Sequence, residues 1–252
     1  METAIVEDRP AAGLRDAVEN ATGRGARVGL LDTGVQSGVP GWSCPARAHY
    51  EVEPRGRGFV VVEKNAGVDR VGHGTACADI LATHAPGAEL HSVRVLGESH
   101  RDLAAKLVAG FAFAVERGWE IIAIGAGTAS IAARDELFAI AGEAERRGLL
   151  AIAACDNRAE RADFPAGLPN VVGVEMGWFA RPLAFRFRPE ATVEAEALGV
   201  YVEAMRPDGR RAFHTGNSFA CPHLAAVAAR LRERVAGMDA VAFREALALL
   251  GA

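Results

Sequence analysis

TGNSFACPHLAAVAARLR, residues 215 to 232, sets the reading of the whole chain. Small residues around Ser218, followed by an apolar ladder at Leu224, Val227, Ala228, Leu231 and Val235, describe a tight turn running into a buried helix. Such a turn presents one hydroxyl at the helix mouth, where the first amides aim partial positive charge at whatever lies beside it. Pro222 is expected in the first turn, where a missing N–H costs little. Ser218 reads either as a helix cap or as a nucleophile, and the rest of the chain has to decide.

With 252 residues, half of them hydrophobic, and a formal net charge of −4, the chain can bury one large core, and a single domain over residues 1–252 is expected. There is no basic block and no basic stripe interleaved with aromatics, so a nucleic-acid partner is not expected. No apolar run approaches the roughly 18 residues that span a bilayer, and no charged start followed by an apolar core marks an export signal. The expectation is therefore no membrane association and a cytoplasmic location. Cys44, Cys77, Cys155 and Cys221 lie far apart without ligand spacing, which suits buried free thiols better than a zinc site or a disulfide framework.

Outward from Ser218 the chain alternates. A short helix over 11–21 leads to a strand over 27–31 that delivers Asp32 into a DTG turn; residues 38–57, rich in Gly, Pro and Arg, read as irregular; GFVVVE at 58–63 is a strand. VGHGTACADILA, 71–82, reads as a closely packed helix with His73 at its start. Strands follow at 89–96, 120–126 and 149–154, with helices at 102–117 and 132–147 between them. The run EIIAIGA is apolar without alternation, the pattern of a strand buried on both faces. This order predicts an α/β fold of three layers, a mostly parallel central sheet with helices on both faces and its chemistry at the carboxyl ends of the strands. Shorter strands follow from Val171, PDGR at 207–210 reads as a hairpin turn, and a last helix spans 239–250.

An Asp at a strand end, a His at a helix start and a Ser at a helix mouth are together what acyl transfer needs: a nucleophile, a base for its proton and a carboxylate to orient the base. The order Asp32, His73, Ser218 is the one of which subtilisin is the type case. On these motifs the chain resembles the subtilisin-like serine proteases. HAPGAELHSVRVLG, IIAIGAG and FPAGLPNVVGV resemble that family's segments as well, so the likeness runs through nearly the whole chain. The resemblance implies an oxyanion residue at Asn157, in AIAACDN. It also implies that Gly125, Ala126 and Gly127 pair with an extended substrate, and that Ala153, Ala154, Cys155 and Asp156 line the pocket for the side chain before the scissile bond. Glu98 to Arg101, with His100 and Arg101 as contacts, would form the opposing edge.

Some positions depart from the family pattern. Asp156 stands where a glycine is usual, and Asn217 replaces a Thr, which should alter local hydrogen bonding without removing chemistry. Ala82 runs through THAPGA directly to the next strand, leaving no room for the calcium loop that many relatives carry, so no metal or other cofactor is expected to be required. Cys77 and Cys221 read as small packed residues, and a thiol this near the site could confer sensitivity to mercurials. The chain ahead of Asp32 is about what a catalytic domain itself uses, so either the enzyme folds unaided or a prodomain lies outside the sequence. The expectation is an intracellular endopeptidase acting on a peptide or protein, with limited processing of a precursor or leader peptide favoured over bulk digestion and any partner chain unknown. A peptide-binding pseudoprotease, and a transpeptidase or cyclase using the same acyl-enzyme, are the alternatives.

Overall fold

The computed structural model describes residues 9–98, 102–157 and 163–251. In chain order the elements are α1 (Arg9–Asn20), β1 (Arg27–Asp32), β2 (Ala46–Arg55), β3 (Gly58–Lys64), α2 (His73–His84), β4 (Glu89–Arg94), α3 (Leu103–Arg117), β5 (Ile121–Ile124), α4 (Ile131–Arg146) and β6 (Leu150–Ala154). They continue with β7 (Val172–Gly177), β8 (Phe185–Phe187), β9 (Ala195–Leu198), β10 (Val202–Met205), β11 (Arg211–His214), α5 (Asn217–Arg234) and α6 (Ala240–Leu250).

Among the described residues, nine strands form one sheet in the order β3-β2-β4-β1-β5-β6-β7-β9-β8. The strands from β2 to β9 in that order run parallel, and only the two edge strands, β3 and β8, pair antiparallel to their neighbours. The central strands bury both faces, and all four residues of β5 are inaccessible to solvent. Alternate residues feed two cores: Val28 and Leu30 pack under α2, α5 and α6, whereas Leu31, Ile122 and Ile124 pack under α3 and α4. This is the three-layer arrangement that the alternating sequence predicts.

Residues 38–57 correct one expectation, because β2 occupies their second half. Tyr50 and Val52 are buried at alternate positions while Arg55 is exposed, but the Gly- and Pro-rich stretch ahead of them and Pro54 within them mask the period of two. Pro54 is tolerated because the pairing with β4 ends at Glu51, leaving no ladder partner there for the missing N–H. Beyond the sheet, β10 and β11 form a hairpin closed by the Arg206–Arg210 turn that PDGR announces. It leads directly into α5, which is buried along most of its length, with Leu224, Val227 and Leu231 no more than 1% exposed. Helix α5 lies against β5, β6 and β7, so its N-terminus arrives at the carboxyl edge of the sheet, the edge at which Asp32 emerges from β1.

Candidate active site

Asp32 is the last residue of β1 and is 1% exposed. Its Oδ1 accepts two short hydrogen bonds, from the Thr33 amide at 2.7 Å and from His73 Nδ1 at 2.7 Å. With the imidazole proton held on Nδ1, Nε2 is the acceptor, and it lies 2.6 Å from Ser218 Oγ. Three side chains from β1, α2 and α5 thus form one continuous hydrogen-bonded line. Close backbone approach makes it possible: a Cβ at Gly125 would come within 2.1 Å of Asp32 Oδ2, so only glycine fits beside the carboxylate.

His73 opens α2, and its placement comes from a carboxylate that the sequence reading overlooks. Asp69, 2% exposed, receives five hydrogen bonds: Thr33 Oγ1, the Val71 amide and the Gly72 amide on Oδ1, and the Thr75 amide and Thr75 Oγ1 on Oδ2. Thr33 Oγ1 in turn accepts the Gly74 amide at 2.8 Å. The residue after Asp32 is therefore tied, through one hydroxyl, to the residue after His73, and Asp69 does the N-capping that Gly72 has no side chain to do. Gly74 is required because a Cβ there would lie 2.1 Å from the Gly34 carbonyl oxygen.

Burial disfavours the charged form of His73, but Asp32 outweighs it through its charge and hydrogen bond and holds the imidazole well above its ordinary 6.5. Cys77 lies one turn along α2 with Sγ 3.8 Å from His73 Nδ1. Burial pushes its thiol up to about 11, so near neutrality it is an uncharged neighbour and the carboxylate is what raises the histidine. Asp32, His73 and Cys77 also form a group whose ligand atoms lie within 4.8 Å of one another; two of the three are already engaged in the hydrogen-bonded line.

Ser218 is the second residue of α5, behind Gly216. Pro222 does not sit in the first turn as expected but within the helix, where it cannot return an N–H to the Ser218 carbonyl. That carbonyl instead lies 3.6 Å from Cys77 Sγ, so the thiol takes up the acceptor that the proline leaves. Phe219, next to the serine, packs its ring against His73 at 4.8 Å and His214 at 4.9 Å, walling the imidazole from one side.

Asn217 ties the serine's turn to the loop after β6. Its Nδ2 donates to the Asp156 carbonyl at 2.9 Å and the Cys155 carbonyl at 3.2 Å, its Oδ1 accepts the Met176 amide at 2.9 Å, and its own amide donates to Asn157 Oδ1 at 2.9 Å. That last bond holds the carbonyl end of the Asn157 side chain and leaves its NH₂ end as the donor. Asn157 and Ser218 open on the same cavity, about 680 Å³ in volume.

Gly125, Ala126, Gly127, Ala154, Cys155 and Asp156 line that cavity together with the site residues. Ala153 does not, which corrects the expectation for it: it is 0% exposed and points from β6 into the core shared with Ile124. On a strand, neighbouring side chains alternate, so Ala153 and Ala154 cannot face the same way. The opposing wall is formed by Leu96, Asp102, Leu103 and Ala104; His100 and Arg101 lie outside the described residues. Asp163 is a lining residue absent from the sequence reading. It is 9% exposed, and a Cβ on Gly127 would come within 2.3 Å of its carboxylate. A single acidic residue ahead of FPAGLPN gives no sign of this inward position.

With the relay geometry in hand, comparison with known proteins places the chain. The model of the subtilase family (Peptidase_S8) matches residues 23–176, more than half of the sequence and the part carrying Asp32 and His73. The chain belongs to the subtilase family. Subtilases of this kind are serine endopeptidases, and membership gives the chain its enzyme class, a hydrolase acting on peptide bonds. Ser218 lies beyond the span matched by the family model, so its place rests on the geometry. Subtilisin BL of Lederbergia lenta is 29% identical over 223 residues, covering 84% of this chain and 78% of its own length. Alkaline elastase YaB of Bacillus sp. (strain YaB) is 30% identical over 224 residues, covering 84% of this chain and 56% of its own. Among solved structures, sphericase has a TM-score of 0.73 at 20% identity, covering 92% of this chain and 87% of its own. A lanthipeptide protease has a TM-score of 0.68 at 20% identity, covering 89% and 80%. Those two likenesses establish the fold. No described helix is long and apolar enough to cross a membrane.

Proposed function

We propose that this subtilase cleaves peptide bonds through an acyl-enzyme on Ser218. The observation that carries the reading is the unbroken line from Asp32 Oδ1 through His73 to Ser218 Oγ, with contacts of 2.7 and 2.6 Å. His73 Nε2 takes the serine proton as Oγ attacks the scissile carbonyl, and the imidazolium that forms is stabilised by Asp32. The same Nε2–H then protonates the departing amine, and a water deprotonated by His73 releases the acyl group. The Asn157 NH₂ and the Ser218 amide meet the negative charge developing on the carbonyl oxygen. Backbone at residues 125–127 pairs with the peptide ahead of the bond, and Ala154 to Asp156 receive the side chain before it. The relay and its two donors supply the base, the acid and the oxyanion stabiliser, so the proposed chemistry requires no metal ion or other cofactor.

The finer reading is limited processing of a precursor or leader peptide within the cytoplasm, with no nucleic-acid or membrane partner. It is supported by the polar lining close to the nucleophile, where Asp156, Asn157 and Asp163 narrow the range of acceptable side chains. A neighbour in fold described as a lanthipeptide protease is consistent with such a task. The test is digestion of a mixed peptide library, read by mass spectrometry for wild type and Ser218→Ala. The expected result is a small set of cleaved sequences whose products have gained the mass of water, all missing with the variant. Equal cleavage by Ser218→Ala would refute the mechanism, broad cleavage the processing role, and joined peptides would mark a transpeptidase.

A further inference from the structure

A second cavity, of about 500 Å³, lies between α1, the end of α2, residues 181–185 and the end of α6. It shares no residue with the cavity at Ser218 and sits at the far ends of the two helices that carry His73 and Ser218. His73 opens α2 and His84 closes it, and Arg230 lies twelve residues beyond Ser218 on α5, about 18 Å along the axis. Arg230 Nε donates to the His84 carbonyl, and Nη1 donates to the Val18 and Glu19 carbonyls at 2.8 and 3.1 Å. One guanidinium thus fastens α5 to the last turns of both α1 and α2, and the cavity is built on fixed elements.

The lining divides by chemistry. Val18, Leu183, Phe185 and Leu250 are half-buried apolar side chains that pack against the core beneath α5 and also line the cavity. With them stand three guanidiniums, Arg15, Arg181 and Arg230, and one carboxylate, Glu19, which leaves a net charge of +2. None of those three arginines forms an ion pair among the described residues. Other half-buried arginines do have one: Arg94 lies 3.1 Å from Glu51, and Arg244 lies 2.8 Å from Glu194. Burial works against the charge on Arg230, and it holds His84 below its ordinary 6.5, so the histidine adds no charge near neutrality. Capping two helices accounts for Arg230 alone. An open apolar floor beside three cations without carboxylate partners is the complement of a molecule with one anionic end and an aliphatic body.

We propose that this cavity binds a free amphipathic monoanion, a carboxylate on an unbranched aliphatic chain of the medium-chain fatty acid class. The carboxylate meets the arginines, whose paired N–H groups match its two oxygens, and the chain covers the apolar floor. A compact anion such as phosphate would use the charge and leave the floor wet, whereas a neutral alkyl chain would cover the floor and leave the cations in water alone. Glu19 beside the arginines opposes a second negative charge on the ligand. A concave site enclosed by three helices and a strand takes up one chain at a time, which favours a single free molecule over the flat face of a bilayer. Because the cavity stands apart from Ser218, it fills without displacing a peptide, and the inference is independent of the protease reading.

The test is isothermal titration of the full chain, as Ser218→Ala so that it cannot digest itself, with octanoate, decanoate and dodecanoate below their micellar concentrations. The expected result is one saturable site whose affinity rises about three- to fourfold per added methylene. 1-Decanol should bind at least about 10-fold more weakly than decanoate. Arg15→Gln/Arg181→Gln removes two exposed charges and leaves the Arg230 bonds in place, so its thermal unfolding should match the parent while its affinity for decanoate falls about 10-fold. Excess peptide should leave decanoate binding unchanged. No saturable binding, equal affinity for decanol, or an unchanged affinity in the double variant would overturn the proposal. Competition between peptide and decanoate would do the same, by placing the anion at Ser218. Sedimentation with phosphatidylglycerol vesicles without saturable decanoate binding would assign this face to a membrane and overturn it as well.

Discussion

At the scale of the residue, catalysis depends on where the imidazole proton sits. His73 must be neutral to accept the serine proton, and Asp32 raises its pKa against the opposing effect of burial. Activity is therefore lost as pH falls through a value above 6.5, and the acid limb of kcat/KM is expected on the alkaline side of an ordinary imidazole. Asp32→Asn should move that limb down and lower kcat by about 10⁴-fold, because the imidazole then loses both its preferred tautomer and its counter-charge. Asn157→Ala should cost about 10²–10³-fold in kcat, the range found for subtilisin's own side-chain donor, with KM little changed. Asp69 tests positioning apart from chemistry. Asp69→Asn and Thr33→Val each break the tie between the segments carrying Asp32 and His73, so each should lower kcat by roughly 10²-fold, the scale of a misplacement of about 1 Å. Thr33→Ser should keep most of the activity, and the double variant should lose little more than either single one. Losses that simply add would show two independent effects.

At the scale of the element, α5 links nucleophile and core. Leu224→Ala should destabilise the fold by about 2–5 kcal/mol, since the side chain is fully buried and its surroundings are packed on all sides. His223, 1% exposed on the same helix, is held by burial at a pKa of about 4. Its folded value lies below the unfolded one, so the unfolded chain takes up the proton first. Stability is present above pH 6.5 and declines as pH falls toward 4, by up to about 3 kcal/mol from this group. Urea unfolding against pH should show that slope in wild type and a shallower one in His223→Gln. The elements themselves were largely legible. The continuous apolar run at Ile121–Ile124 announced a doubly buried strand, and the ladder from Leu224 announced α5. What stayed hidden was set by tertiary context: β2 behind a Gly- and Pro-rich lead, Pro222 inside a helix, and Ala153 against Ala154, where side-chain direction depends on the register of β6 with its neighbours.

At the scale of the whole molecule, one sheet brings residues from widely separated segments to its carboxyl edge. The motifs carrying Asp32, His73 and Ser218 could be read from short local patterns, because each sits at the end of an element with its own sequence signature, whereas Asn157 followed only from the family resemblance. Asp69 and Asp163 could not be read at all, and Asn217 only as a change in local hydrogen bonding, since their importance lies in partners that only folding supplies. The proposal that cleavage requires no metal also belongs to this scale. Helix α2 passes to β4 through only the short turn after His84, and treatment with EGTA is expected to leave peptide cleavage unchanged; a loss restored by calcium would show a site outside this account.

The relay itself is tested most directly by reaction with a fluorophosphonate, followed by mass spectrometry of the labelled peptide. Wild type should carry one adduct on Ser218, formed at a rate that falls as pH drops through the His73 value. Labelling should be absent from Ser218→Ala and slowed by several orders of magnitude in His73→Ala. An adduct at another residue, or labelling of Ser218→Ala at the wild-type rate, would contradict the account.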